Sequence, residues 1–198
     1  MSGKRKYTVP VLLVVITLLT FLIVVLFSRV LLDGQSLKTE RGIRLASSYN
    51  YCMIYVDSAK RASAGLLEAS DDASRMEAVR AQGMLKLAGG ECASGVLVQA
   101  GIRTGQGDET AMSAVSLPLQ KINDALEPIG NRAGALTEAD RTTLASISTS
   151  ADRLTAILKD YTPPTGNDRF RQMQAGVDWV PVVQRFINEV NGAAASIH

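Results

Sequence analysis

Two regimes of hydrophobic patterning divide the chain. Between Lys6 and Arg29 no charged side chain occurs for 22 residues, and 16 of the 20 residues at 9–28 are Val, Leu, Ile or Phe. A helix of that length spans the ~30 Å hydrocarbon core of a bilayer. Each apolar residue contributes roughly −0.3 to −0.6 kcal/mol near the bilayer centre, so insertion is favourable by several kcal/mol. Thr17 and Thr20 can bond back to the preceding turn, and Pro10 falls in the first turn, where its missing N–H costs nothing. The run exceeds the roughly 7–15 residues of a signal-peptide core, and Phe27-Ser28-Arg29-Val30-Leu31-Leu32-Asp33 has no small-x-small cleavage site. Residues 9–32 therefore read as an uncleaved transmembrane signal anchor.

Beyond a polar break at Asp33-Gly34-Gln35-Ser36 the pattern becomes periodic. Leu45, Tyr49, Cys52, Val56, Ala59, Ser63 and Leu66 recur at steps of four and three, one stripe of a helix over about residues 36–69. The spacing leaves open whether this helix continues the membrane helix or hinges at Gly34. Asp71-Asp72 and the capping-box pattern Ser74-Arg75-Met76-Glu77 mark a second helix to about Arg103, striped by Met76, Val79, Gly83, Leu87 and Gly90. Its glycines, Gly83, Gly89, Gly90, Gly95 and Gly101, predict a bent or broken helix with close backbone contacts.

A loop at Thr104-Gly105-Gln106-Gly107-Asp108 follows; it lacks the Lys-Ser/Thr ending of a phosphate-binding loop. The third helix is predicted over residues 109–132, with Leu119, Ile122, Leu126 and Ile129 inward and Pro118 and Pro128 bending or interrupting it. Leu136-Thr137-Glu138-Ala139-Asp140 reads as an N-cap and acidic first turn. The fourth helix carries Leu144, Ile147, Ala151, Leu154, Ile157 and Leu158 before Pro163-Pro164 stops it. The last begins near Asp168, with Phe170, Met173, Val177, Val180, Ile187 and Val190 at heptad spacing, Pro181 as a kink and residues 192–198 fraying. The expected fold is all-α: an N-terminal transmembrane helix followed by an antiparallel helical bundle of about five helices. Residues 1–8 form a tail, 9–32 the anchor and 33–198 the bundle.

Charge changes the picture in two ways. Removing Lys4, Arg5, Lys6 and Arg29, which flank the apolar run, from the 21 basic residues leaves 17 against 19 acidic ones. The domain beyond the anchor is therefore slightly acidic, which argues against a nucleic-acid surface. The cluster Lys4, Arg5, Lys6 abuts the span on a short tail and favours a cytoplasmic N-terminus and an extracytoplasmic domain.

The cysteines fit that placement. Cys52 lies 20 residues before Asp72 and Cys92 lies 20 after. Equal distances from the turn of an antiparallel hairpin mean equal heights, so the pair is expected to form a disulfide; two buried free thiols are the alternative.

Candidate chemistry is sparse. The sole histidine is His198, which argues against Ser-His and Cys-His nucleophilic sites and against zinc sites needing several imidazoles. Asp71/Asp72 and Asp108/Glu109 sit at predicted helix starts, where acids favour capping over catalysis. Tyr49, Tyr51 and Tyr55 read as half-buried tyrosines. No cofactor, metal or catalytic residue is expected.

At Leu117-Pro118-Leu119, Leu126-Glu127-Pro128-Ile129-Gly130-Asn131, Leu136-Thr137-Glu138 and the spaced Leu144, Ile147 and Leu154, the chain resembles the N-terminal helical region of YpeB-type germination proteins of spore-forming bacteria. The resemblance is carried mainly by residues 117–160. It implies a spore-envelope protein that localises or stabilises a cortex-lytic enzyme without being one. The family's larger C-terminal part, built from PepSY-type repeats, has no counterpart in these residues, so roles assigned to that part do not carry over. The expected function is a membrane-anchored, non-catalytic interaction or scaffold module, with the lipid bilayer and an envelope protein as partners. The alternative is an extracytoplasmic ligand-binding sensor ectodomain signalling through a membrane partner.

Overall fold

The computed structural model describes residues 5–132 and 134–197, with side chains from residue 10 onward. The described residues are helical, and no strand occurs among them. Helix α1, Arg5–Glu68, runs unbroken for 64 residues, roughly 96 Å at 1.5 Å per residue. The polar break at Asp33–Ser36 thus lies inside a continuous helix. One glycine costs only about 1 kcal/mol there, and Thr39 Oγ1 donates to the Gln35 carbonyl at 2.9 Å across the following turn. Thr17 and Thr20 donate to the Leu13 and Ile16 carbonyls.

The first half of α1 is long and apolar enough to cross a membrane, and nothing else among the described residues covers its apolar window. Arg29 is exposed at the end of that run. Lys4 lies outside the described residues, as do the side chains of Arg5 and Lys6 and the whole of His198.

The second half of α1 buries every residue of its expected stripe, from Leu45 through Ser63 to Leu66. Helix α2 (Asp72–Cys92) packs against it and continues through a π-helical segment, Ala93–Leu97, into α3 (Val98–Arg103). The cap of α2 is not Ser74. Asp71 is the N-cap, its carboxylate accepting from the Ser74 amide at 2.8 Å, and Ser74 is the reciprocating third residue.

The buried face of α2 also differs from the expected stripe. Met76, Gly83, Leu87 and Gly90 are exposed, while Ala78, Leu85, Ala88, Gly89 and Cys92 are buried. Close approach to α1 decides this: a Cβ on Gly89 would stand 3.1 Å from the Tyr55 ring, and one on Gly65 would stand 3.0 Å from Ala78 Cβ. At these two contacts there is no room for a larger side chain, and Met76 and Leu87 lie on the exposed face.

Helix α4, Asp108–Asn131, is not interrupted by Pro118 or Pro128. It packs on α2 and on the last helix, α7 (Trp179–Ser196), and burial of Val115, Leu119, Ile122 and Leu126 offsets the ~3 kcal/mol cost of an interior proline. Helix α5, Glu138–Leu158, starts at Thr137, whose hydroxyl and Asp140 cap each other. Its buried positions include Leu144, Ile147, Ala151, Leu154 and Leu158, and it fills the space between α1 and α7.

The expected last helix is two. Helix α6, Asn167–Ala175, ends at Gly176, whose φ of +86° is left-handed, and α7 spans Trp179–Ser196. Pro181 therefore falls in the first turn of α7, where its missing N–H breaks no bond. Val177 lies between the helices, 75 % exposed, and the core face of α7 is instead Trp179, Val182, Val183, Phe186 and Val190. The expected fraying does not occur before Ser196, because Ala193, Ala194 and Ile197 are buried.

Three helix C-termini are closed by side chains from distant elements. Arg75 donates to the Ile129 and Gly130 carbonyls at the end of α4. Tyr49 Oη donates to the Leu158 carbonyl of α5 at 2.7 Å. Arg103 donates to the Gln174 and Ala175 carbonyls of α6. Each supplies donors to carbonyls that have no intrahelical partner.

Candidate functional site

The seam between α1 and α2 is organised about Asp72. The opposed pairs Gly65–Ala78, Tyr55–Gly89, Cys52–Cys92 and Ser48–Gly95 are each symmetric about that residue to within one position. Cys52 and Cys92 are joined in a disulfide with Cα atoms 4.8 Å apart. Both are fully buried.

One turn beyond the disulfide the seam changes character. The buried Ser48 hydroxyl accepts from the Val96 amide at 2.8 Å and donates to the Glu91 carbonyl at 2.8 Å. It thus sits between two backbone groups five residues apart, the pair that a π-turn brings together. Gly95 makes room for it, since a Cβ there would overlap the Ser48 side chain.

Past this segment α3 turns to pack on α4 and α7. A groove of about 460 Å³ opens between α1 and the diverging chain, with Leu45 and Gly95 among its lining residues. Its polar lining is Arg41, Arg44, Ser94, Gln99, Arg103 and Gln174. Arg41 and Arg103 stand 31 residues on either side of Asp72, and both line this groove. The guanidinium of Arg103 also lies 5.5 Å from the centre of the Trp179 ring, a favourable cation–π geometry. Arg44 pairs with Glu40. Among the described residues no carboxylate lies within ion-pair distance of Arg41. Such a groove can hold an oxyanion; it contains neither a nucleophile–base pair nor a carboxylate.

The acidic pairs take up local roles. Asp71 caps α2, and hydrogen bonds from the Ser74 backbone and side chain hold its carboxyl below the usual carboxylate range. Asp72 lies in the first turn of α2, and Asp108 and Glu109 in that of α4. Asp140 is held low by hydrogen bonds from Thr137 and by Arg132. Among the described residues, no group of three or more His, Cys, Asp or Glu side chains is placed to hold a metal ion.

The tyrosines are more buried than expected. Tyr49 and Tyr55 are inaccessible and Tyr51 is half-buried. Burial pushes the Tyr49 and Tyr55 hydroxyls well above their ordinary pKa. Tyr161 stands edge-on to Tyr49 with ring centres 5.3 Å apart. The Tyr55 hydroxyl has no hydrogen-bond partner among the described residues.

The arginine groove escapes a reading by periodic stripes, because its residues are polar and lie on different helices. The signal that could have found it is the symmetry about Asp72 already used for the cysteines, extended to Arg41 and Arg103. No protein-family model matches the chain, and no curated protein or solved structure does either.

Proposed function

We propose that this protein is a membrane-anchored, non-catalytic interaction module whose antiparallel helical bundle, residues 33–198, stands outside the cytoplasmic membrane. The observation that carries this reading is the continuity of α1, which joins an uncovered apolar run to the buried stripe of the domain. A stiff helix shared by anchor and domain holds the domain at a fixed height above the bilayer, which suits a scaffold that positions a partner. The Lys4–Lys6 cluster supports a cytoplasmic N-terminus, and a disulfide supports an oxidising compartment. The resemblance over residues 117–160 supports a spore-envelope setting and a cortex-lytic enzyme as partner.

Crosslinking of the native chain in intact cells, followed by identification of the adducts, tests the scaffold role. One dominant envelope protein, captured through the domain, is expected; adducts only with lipid or with random neighbours overturn it. Protease added to intact protoplasts should remove residues 33–198 while a cytoplasmic control survives, and protection of the domain reverses the orientation. The second reading, a ligand-binding sensor ectodomain, is favoured by the arginine groove, which lies directly against the helix that enters the apolar run.

A further inference from the structure

The geometry points to the arginine groove as a binding site for a small soluble oxyanion, a polycarboxylate or a phosphate compound. This deepens the sensor reading and is independent of the scaffold reading, since an anion can bind whether or not a protein partner exists.

Two like charges, Arg41 and Arg103, line one groove. Arg41 stands on α1 and Arg103 at the end of α3, and such a pair repels at close range. At the π-helical segment the chain diverges, so the two guanidinium groups border an open groove. Arg103 is held in place by its bonds to the Gln174 and Ala175 carbonyls and by Trp179. A cation fixed in this way is pre-organised for a ligand. Arg41 is free of carboxylates, and Ser94, Gln99 and Gln174 add neutral hydrogen-bonding groups around the same space.

The volume of about 460 Å³ falls within the roughly 300–1,000 Å³ of small-molecule sites. Guanidinium forks match carboxylate and phosphate oxygens in pairs. No carboxylate is among the lining residues, and Glu40, one turn from Arg44 on α1, is paired with it.

Height separates a soluble anion from a lipid headgroup. Arg41 lies nine residues beyond Leu32, the end of the anchor, on one unbroken helix, roughly 14 Å further along its axis. The interfacial layer adds only about 5–8 Å on each side of the hydrocarbon core. The groove therefore opens above the headgroups.

The test uses the full chain in phosphatidylcholine nanodiscs, titrated calorimetrically with inorganic pyrophosphate and with citrate at constant ionic strength. Saturable binding of at least one probe is expected, weakened about tenfold or more in Arg41→Gln and further in the Arg41→Gln/Arg44→Gln double variant. Arg41 makes no described ion pair, so its variant should keep the wild-type melting temperature without ligand; if it does not, the probe's protection of Arg41 and Arg103 from phenylglyoxal in wild-type protein decides. Absence of saturable binding, binding undiminished by Arg41→Gln in a folded variant, or failure to protect these arginines overturns the site. Competition by phosphatidylglycerol discs against the soluble probe overturns the assignment to a soluble ligand.

Discussion

The Ser48 hydroxyl and the Val96 amide are joined by a 2.8 Å hydrogen bond across the α1/α2 seam. Through this contact one helix supplies what the other's backbone lacks, and the helix can depart from α geometry beside the disulfide. The Gly95 position is the steric condition for it. Gly95→Ala should destabilise the fold by about 1–3 kcal/mol, the usual cost of overpacking. Ser48→Ala should cost about 1–3 kcal/mol by leaving buried backbone groups unpaired. The double variant should cost less than the sum, because the hydroxyl is the nearer of the two Ser48 atoms that a Cβ on Gly95 would overlap, while the overlap with Ser48 Cβ remains. Denaturant titration of the four proteins gives the coupling; strict additivity would show that the two residues do not act together.

The two buried tyrosines should respond oppositely to loss of their hydroxyls. Tyr49→Phe removes the shorter of two hydrogen bonds to the Leu158 carbonyl at the end of α5, leaving the 3.3 Å bond from the Tyr161 amide, and should cost about 0.5–1.5 kcal/mol. Tyr55→Phe removes a buried hydroxyl that has no partner and should be neutral or stabilising. Thermal melts of the two variants make the comparison, and equal destabilisation would contradict it.

Reducing the Cys52–Cys92 bridge should lower thermal stability while leaving the helical circular dichroism largely intact. The bridge closes a loop with a sequence separation of 40, worth about 4 kcal/mol in the chain-entropy model. The apolar stripes on α1, α4 and α5 remain after reduction. Mass spectrometry of a non-reduced digest should recover the two cysteines in one crosslinked peptide. Both cysteines alkylatable in freshly isolated protein would reject the bridge and remove one support for the external location.

Acid should weaken the helix starts. Hydrogen bonds made in the folded state hold the Asp71 and Asp140 carboxyls below the usual carboxylate range. A depressed folded value means a contribution fully present above the unfolded value and lost as the pH falls through the folded one. Stability should therefore decline below about pH 4, and Asp140→Asn should flatten that decline while lowering stability at neutral pH. Denaturant midpoints measured from pH 2 to pH 7 check the slope; an unchanged slope in the variant would dissociate Asp140 from it.

Much of this fold can be read from the chain alone. The stripes of α1, α4 and α5 are legible because their large apolar residues recur at helical spacing, and each such residue is most stable when buried. The disulfide is legible for a related reason: an antiparallel hairpin with its centre at Asp72 leaves Cys52 and Cys92 at one height. The continuity of α1 through Gly34 is a different matter, since the local cost of about 1 kcal/mol is too small to decide between hinge and helix. Tertiary packing also decided which face of α2 is buried: the close approaches of Gly89 to the Tyr55 ring and of Ala78 to Gly65 turn that face to α1, and Met76 and Leu87 lie on the exposed face despite their hydrophobicity. It decided the break at Gly176, where a left-handed turn lets α6 end against Arg103 and brings Trp179 into the core. The groove belongs to the same class. Arg41 and Arg103 lie 62 residues apart and carry no periodic signal; only the divergence of two packed helices at Gly95 leaves their charges facing a common space.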